Sequence, residues 1–403
     1  GVELFSFDAT PTENSSMLHS FCTNCAPGVY DYRQLDERIM GYLDVNPNAL
    51  LMPRLTINAP QWWMQEHPEA QVVVEDADGS HRVLLYNYGK MVPSWASPEW
   101  QEYCRDSLRR MVAHIAAAPY ASQVLGLFLC SGTTQEWMQW GNNEQECPDY
   151  SLDAQKGFRD YLRKKYGTDE NLRSAWHDGG VFLDTAALPT RKERYATDPA
   201  HLDLRDPDCP ADRKCVDYFQ WNGEMTAEVI AGFSQAIKDA SGNRMLTGAF
   251  YGYLLELCGS DRLGNSGHLG FAKLQQCPAL DFLAAPTGYC FRQPGGAGLC
   301  YQMAPAASLK LHNKFWWKEM DIRTHTTDAP SGYAGKTDTL EEDFLQQDKE
   351  AVQSLCAGHG HWWLDVGYIN FESPELMAHI KKLVGVMKEA FDRCDRTSEA
   401  QIA

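Results

Sequence analysis

Two glutamates stand where short apolar runs give way to polar residues, and each has tryptophans beside it. Glu136 lies in Ser131-Gly132-Thr133-Thr134-Gln135-Glu136-Trp137-Met138-Gln139-Trp140, directly after the apolar run 124–130. Glu319 lies near the end of the run 314–320, after Phe315-Trp316-Trp317-Lys318, and is followed by Asp321 and Arg323. One carboxyl group that protonates a departing oxygen, and a second that attacks or stabilises an oxocarbenium-like carbon, are what glycosidic-bond hydrolysis needs. A separation of about 5–5.5 Å between the two would give retention through a covalent intermediate. Tryptophan faces stack on the apolar faces of sugar rings and keep an N–H free to donate. Taken alone, a strand-end glutamate is more often an ion-pair partner. Lys318 and Arg323 stand near Glu319, and Glu144, Glu146 and Asp149 crowd the loop of Glu136. The combination of paired carboxylates, strand-end position and aromatic lining points to chemistry.

Other apolar runs supply candidate sugar contacts. Arg54 lies in the run 49–56, with Asn58 and Trp63 beyond it; Tyr251 and Tyr289 stand at or after the runs 244–252 and 279–285. Gln135, Trp140, Trp316 and Asp321 flank the two glutamates, and Trp363 and Asp365 belong to the last run, 361–367. Asp321 and Asp365 are suited to sugar hydroxyls. Desolvation by Trp137 and Trp140 is expected to raise the pKa of Glu136 towards neutrality, while Arg54 or Arg323 keeps Glu319 ionised. His325 and His361 read as structural histidines.

The elements that must position these residues alternate along the chain. Apolar runs at 2–7, 49–56, 124–130, 244–252, 279–285, 314–320 and 361–367 are separated by helical patterns at 97–117, 152–166, 214–240, 340–357 and 374–392. Strands separated by helices indicate parallel βαβ units. No glycine-rich phosphate fingerprint follows a strand, and Gly295-Gly296-Ala297-Gly298 reads as a loop. A dinucleotide-binding sheet is therefore disfavoured, and the pattern predicts an α/β fold of the (β/α)8 TIM-barrel class, whose function collects at the C-terminal strand ends. Seven strands are legible, so the eighth is expected upstream of Gly1, and the barrel is expected to be truncated at both ends. The barrel is assigned to 1–395, with 180–213 as an excursion off it and 396–403 as the start of a following domain.

Composition narrows the ligand. With 36 Lys and Arg against 54 Asp and Glu, the net charge is −18, which disfavours nucleic acid. No apolar stretch of about 18 residues occurs, so no membrane span is expected. With 12 Trp and 18 Tyr, a neutral, hydroxyl-rich carbohydrate suits the chain better than a polyanion. Among 13 cysteines only Cys22-Thr23-Asn24-Cys25 has tight metal-like spacing, and no second pair follows. No metal or other cofactor is expected. Cys209/Cys215 and Cys290/Cys300 remain open as loop bridges, though most thiols read as reduced and buried, which favours the cytoplasm.

At Val29-Tyr30-Asp31-Tyr32, Leu35-Asp36, Asn58-Ala59-Pro60-Gln61-Trp62-Trp63 and Glu66-His67-Pro68 the chain resembles the clan A glycoside hydrolases, and within them the family 42 β-galactosidases. The most specific stretch runs from Phe158-Arg159 through Tyr166-Gly167-Thr168 to Leu172-Arg173-Ser174-Ala175-Trp176, and Val181 to Pro189 continues it. The resemblance implies Glu136 as acid/base after the fourth strand, Glu319 as nucleophile at the seventh, a retaining mechanism and a homotrimer. The clan pattern has Asn, which binds the sugar 2-hydroxyl, before the acid/base, where this chain has Gln135; the resemblance favours β-galactosidase activity, with β-glucosidase and β-mannosidase as the alternatives. A non-catalytic sugar-binding barrel would lack one carboxylate. An aldolase or a metal-dependent hydrolase would need a strand-end lysine or a His/Asp cluster, and Lys318, next to Glu319 on a strand, faces the other way.

Overall fold

The computed structural model describes residues 3–9, 24–86, 89–196, 205–258, 260, 262–290, 292, 301–365 and 370–395. They fall into two compact units. The first comprises Leu4–Tyr251 with Leu257–Asp281; the second takes Glu3, Gly252–Glu256 and the described residues from Phe282 onward.

In the first unit four parallel strands run in the order β1 (Leu4–Asp8), β2 (Leu50–Thr56), β3 (Gly126–Cys130) and β4 (Leu246–Phe250). All five residues of β3 are buried, as expected of parallel strands covered on both faces. Helices α1 (Arg33–Val45), α2 (Pro98–Ala117), α3 (Leu152–Tyr166), α4 (Asp169–Trp176) and α5 (Pro210–Ser241) lie between the strands in sequence. Helix α2 starts where Ser97 accepts the Trp100 N–H and Pro98 takes a first-turn position. It buries Trp100, Cys104, Leu108, Met111, Val112 and Ile115, and Trp100 meets Phe233 of α5 edge-on at 5.5 Å. Helix α5 begins at Pro210, four residues before the periodic pattern shows it, because a proline opens its first turn.

The described part of the 180–213 excursion packs back on these helices. Val181, Leu183, Ala186 and Leu188 share a buried cluster with Tyr150, Phe158, Leu162, Leu172 and Trp176. Arg159 donates to Ala186 O at 3.0 Å and Arg173 to Val181 O at 3.0 Å. The Tyr166 and Trp176 of the specific sequence stretch converge on one carboxylate. Asp217 of α5, wholly buried, accepts from Tyr166 Oη at 2.6 Å, Trp176 Nε1 at 2.7 Å, Lys165 Nζ at 2.8 Å and Arg213 Nε at 3.2 Å.

The second unit holds three parallel strands, β5 (Phe282–Pro286), β6 (Phe315–Met320) and β7 (Gly360–Trp363), with α6 (Leu340–Ala357) and α7 (Pro374–Arg393). A Thr339/Glu342 capping box starts α6 and Ser373 caps α7. Each apolar run read from the sequence thus forms a parallel strand, with helices between, and the fold is of the (β/α)8 barrel class. Residues 396–403, assigned to a following domain, lie outside the described residues. Cys209 and Cys215 are both free thiols, so that suggested bridge is absent; Cys22 and Cys300, one member of each other noted pair, lie outside the described residues. Among the described residues no helix is long and apolar enough to cross a membrane.

Candidate active site

In the first unit Glu136 sits, half-buried, on a tight loop that follows β3. Gly132 turns that loop at a φ of 74°, where a Cβ would stand 2.1 Å from Met138 O. Thr134, Gln135 and Trp137 then hold left-handed conformations, at φ of 58°, 67° and 55°. Non-glycine residues rarely adopt this region, and three within four positions of one another form a strained stretch centred on Glu136. Internal bonds hold it: Trp137 N–H to Ser131 O at 2.7 Å, Thr133 N–H to Met138 O at 2.9 Å and the Thr133 hydroxyl to Gln139 O at 3.1 Å. The Thr134 hydroxyl meets the Glu136 carboxylate. From outside the loop, His268 Nε2 contacts the Glu136 carbonyl at 2.9 Å, and burial pushes the His268 imidazole down to about 3.

In the second unit Glu319 occupies the penultimate position of β6 and is 5 % exposed. Strand parity divides its neighbours. Lys318 points to the helix side, where its ammonium meets Glu350 of α6 at 2.7 Å. Trp316 shares that parity, is buried, and donates to Gln302 Oε1 at 2.8 Å. Trp317 shares the face of Glu319 and packs edge-on against Trp362 at 4.8 Å. In the register of β6 with β7, Glu319 pairs with Trp362, and Met320 with Trp363. Trp363 therefore lies on the helix side, where it donates to Gln347 Oε1 of α6 at 2.7 Å. From each tryptophan pair the sequence reading took Trp316 and Trp363, but the members on the face of Glu319 are Trp317 and Trp362. Period-two alternation from Lys318 carries the signal that separates them.

Beyond Glu319, Asp321 is buried, accepts from Tyr289 Oη at 2.7 Å and pairs with Arg323; Arg292 lies over the Tyr289 ring at 4.7 Å. The structure brings these expected residues together. Arg323 is taken up by Asp321, whose hydrogen bond and charge raise the guanidinium pKa against its desolvation. Asp365 is exposed and accepts from Asn370 N–H at 3.0 Å. In the first unit Arg54 Nε stands 3.4 Å from Oδ1 of Asp8, its register partner at the last position of β1. Asp8 is a candidate the sequence reading passed over, although it directly follows the run 2–7.

Five further residues expected at the site are buried in packing. Trp140 is wholly buried, stands 5.5 Å from the Tyr86 ring and donates to Pro93 O at 3.1 Å, so neither face is open to a sugar. Trp137, also buried, donates to Leu129 O at 3.0 Å. Tyr251 is wholly buried, with its hydroxyl on Gly267 O at 2.6 Å. Asn58 is buried and folds its side chain onto the next N–H, at 2.8 Å. Trp63 is buried and stacked on His67 at 4.1 Å. Gln135 remains half-buried beside Glu136. For a metal, the described residues bring only His67, Glu69 and Glu99 close, with donor atoms within 4.8 Å of one another.

The sequence model of glycoside hydrolase family 42, described as β-galactosidase, matches residues 23–279, well over half of the chain. The chain belongs to glycoside hydrolase family 42. A curated relative of this family 42 barrel, the β-galactosidase BbgII of Bifidobacterium bifidum, is 28% identical over 155 residues, 37% of this chain and 19% of the relative. The chain thus covers about a fifth of the length of that curated relative. Among solved structures, the catalytic domain of β-amylase from Paenibacillus polymyxa superposes with a TM-score of 0.64 at 14% identity, over 97% of this chain and 92% of that one. β-Galactosidase from Bacillus circulans sp. alkalophilus superposes with a TM-score of 0.58 at 13% identity, over 91% of this chain and 50% of that one. At such identities these likenesses establish the fold.

Proposed function

We propose that this family 42 barrel is a retaining β-glycosidase that releases terminal sugars, with β-galactosides as the preferred substrates. The observation that carries the reading is Glu319 at the C-terminal end of a parallel strand, on the face that also presents Trp317 and Trp362. Barrel enzymes place their chemistry at that end. In the proposed double displacement, Glu319 attacks the anomeric carbon while Glu136 gives its proton to the departing oxygen. Water then attacks the glycosyl-enzyme with Glu136 as base, and both carboxyl groups return to their starting states. Asp321 and Tyr289, with Arg54 and Gln135, supply contacts to sugar hydroxyls. A homotrimer in the cytoplasm, needing no cofactor, completes the reading, and light scattering of the purified protein tests the trimer.

The experiment that tests the function is labelling with 2-deoxy-2-fluoro glycosides of galactose, glucose and mannose, read by peptide mass spectrometry. A label on Glu319 that forms fastest with the galactoside is the expected result. A faster gluco- or manno-label moves the specificity to that sugar, and a label on another residue overturns the nucleophile. Glu319→Gln is expected to abolish turnover. Glu136→Gln is expected to slow substrates with poor leaving groups by about 10²–10⁴-fold and to spare activated aryl glycosides.

A further inference from the structure

His268 reaches the Glu136 loop from a segment distant in sequence, and what it touches is the backbone. Its Nε2 stands 2.9 Å from the Glu136 carbonyl oxygen. A carbonyl only accepts, so Nε2 carries the proton. Burial of the ring, which holds its pKa at about 3, keeps the imidazole neutral at any ordinary working pH. The contact completes the fixing of one peptide unit. The Glu136–Trp137 peptide has its N–H on Ser131 O at 2.7 Å and its C=O on His268. That unit sits among the left-handed residues Thr134, Gln135 and Trp137, whose strain persists only where the surroundings over-determine the backbone.

The donor is itself fixed. Its ring stacks on Tyr251 at 4.7 Å with 23° between planes, and the Tyr251 hydroxyl donates to Gly267 O at 2.6 Å and accepts from Gly270 N–H at 3.0 Å. The His268 N–H rests on Ser266 Oγ at 3.2 Å. Gly267 turns the chain at a φ of 89° with Thr226 Oγ1 2.8 Å from where a Cβ would lie, so the turn that delivers His268 admits only glycine. The same segment is tied to the loop again through Gln139, whose N–H donates to Ser266 O at 2.9 Å and whose amide reaches Asn222 at 2.8 Å.

We propose that His268 is a positioning residue for the acid/base: by clamping the Glu136–Trp137 peptide it sets the direction in which the Glu136 side chain leaves the loop. The proposal rests on the reading of Glu136 as the proton donor. It makes the neutral imidazole a backbone clamp with no proton-transfer duty, and it gives the buried Tyr251 the task of holding that clamp.

The test compares two galactosides, one with an alkyl or sugar leaving group that needs protonation and one with 2,4-dinitrophenol, which does not. His268→Phe keeps the stack on Tyr251 and removes the donor. Its expected effect is a fall of about 100-fold in kcat/KM for the poor leaving group, the scale of a misplaced catalytic group, with less than about threefold change for the activated one and little change in KM. His268→Gln, which restores an N–H donor, is expected to recover most of the loss. Equal losses on both substrates, or no loss, in a folded His268→Phe variant overturn the proposal. Glu136→Gln run alongside separates the two levels. If it does not distinguish the leaving groups, the acid/base reading falls; if it does and His268→Phe does not, only the clamp falls. Should the phenylalanine variant not fold, nitrogen-15 spectra of the unmodified histidine-labelled protein decide. A neutral Nε2–H tautomer throughout pH 5–8 supports the clamp, and an Nδ1–H tautomer or an imidazolium in that range overturns it.

Discussion

Lys318 and Glu350 form a salt bridge of 2.7 Å with both side chains wholly out of solvent. The ammonium also donates to Glu350 O at 2.9 Å and Gln353 Oε1 at 3.0 Å, while Thr287 at 2.8 Å and Gln346 at 2.9 Å satisfy the carboxylate. Lys318 thereby fixes β6 to α6 at the residue next to Glu319, where a slip of one position would turn Glu319 from one face to the other.

Removing one partner strands the other charge in the interior. Lys318→Met is expected to destabilise the protein by about 3–5 kcal/mol, read as a shift of the urea midpoint. The double variant with Glu350→Leu removes both charges and is expected to recover part of that loss. A double variant less stable than Lys318→Met would mean that the surrounding hydrogen bonds outweigh the charge pairing.

The tryptophan pairs give a prediction of opposite character. Trp362 lies on the face of Glu319 and is its register partner, whereas Trp363 is bonded to Gln347 on the helix side. Trp362→Ala is expected to lower kcat/KM about tenfold or more, mainly through KM, since ring contacts of this kind are worth about 0.5–1.5 kcal/mol beyond area. Trp363→Phe is expected to lower the melting temperature, through the lost hydrogen bond, and to leave KM unchanged. The reverse pattern would place the sugar on the other face.

These pairs also mark how far the sequence could be read. The seven strands were legible because each is a short, near-continuous apolar run, most fully buried in β3 and β5, and α3 and α6 because their caps and periodicity agree. Glu136 and Glu319 were legible as strand-end carboxylates. What spacing did not carry was which aromatic faces inward: Trp140 and Tyr251 look like a sugar platform by composition, yet each hands its polar tip to a backbone carbonyl in the interior. His268 was not legible at all, because its contact is to a carbonyl 132 positions away, and carbonyls leave no mark in a sequence.

The Asp217 hub accounts for why Tyr166 and Trp176 stand where they do. With four donors on one wholly buried carboxylate, Asp217→Leu strands Lys165, Arg213 and two ring donors at once. A loss of about 3–5 kcal/mol is expected, against about 1–2 kcal/mol for Tyr166→Phe, which removes the hydroxyl that donates to Asp217 and accepts from Arg213 Nε at 3.0 Å. Chemical denaturation of the two variants checks the ratio. Equal losses would show that Tyr166 carries the hub.

Stability should also fall in acid through the buried histidines. His268 is held at about 3 and His361 at about 4, both mainly by burial, against an ordinary value of 6.5. Below about pH 6.5 the unfolded chain takes up protons that the folded chain refuses, so this stability is fully present above 6.5 and is lost as the pH falls towards 4 and 3. For the wholly buried His268 the slope is about 1.4 kcal/mol per pH unit. Urea midpoints between pH 7 and 4 read it, and His268→Gln is expected to flatten the curve by one proton. An unchanged slope would mean that His268 titrates alike in both states.

Gln135 joins the strain of the loop to the choice of sugar. It holds a φ of 67° immediately before Glu136, a conformation that Asn tolerates far better than Gln because its short amide bonds locally. Gln135→Asn is therefore expected to stabilise the protein by about 0.5–1 kcal/mol, seen in thermal melts. The same change shortens the side chain beside Glu136, the proposed acid/base, to the Asn of the clan pattern, for which the resemblance implies a contact to the sugar 2-hydroxyl. If Gln135 reads that hydroxyl, the ratio of kcat/KM for galacto- over manno-configured substrates shifts by about tenfold, the worth of one hydrogen bond gained or lost in the transition state. A more stable variant with an unchanged ratio would separate the two effects, leaving Gln135 as a strained spacer and the 2-hydroxyl to another residue.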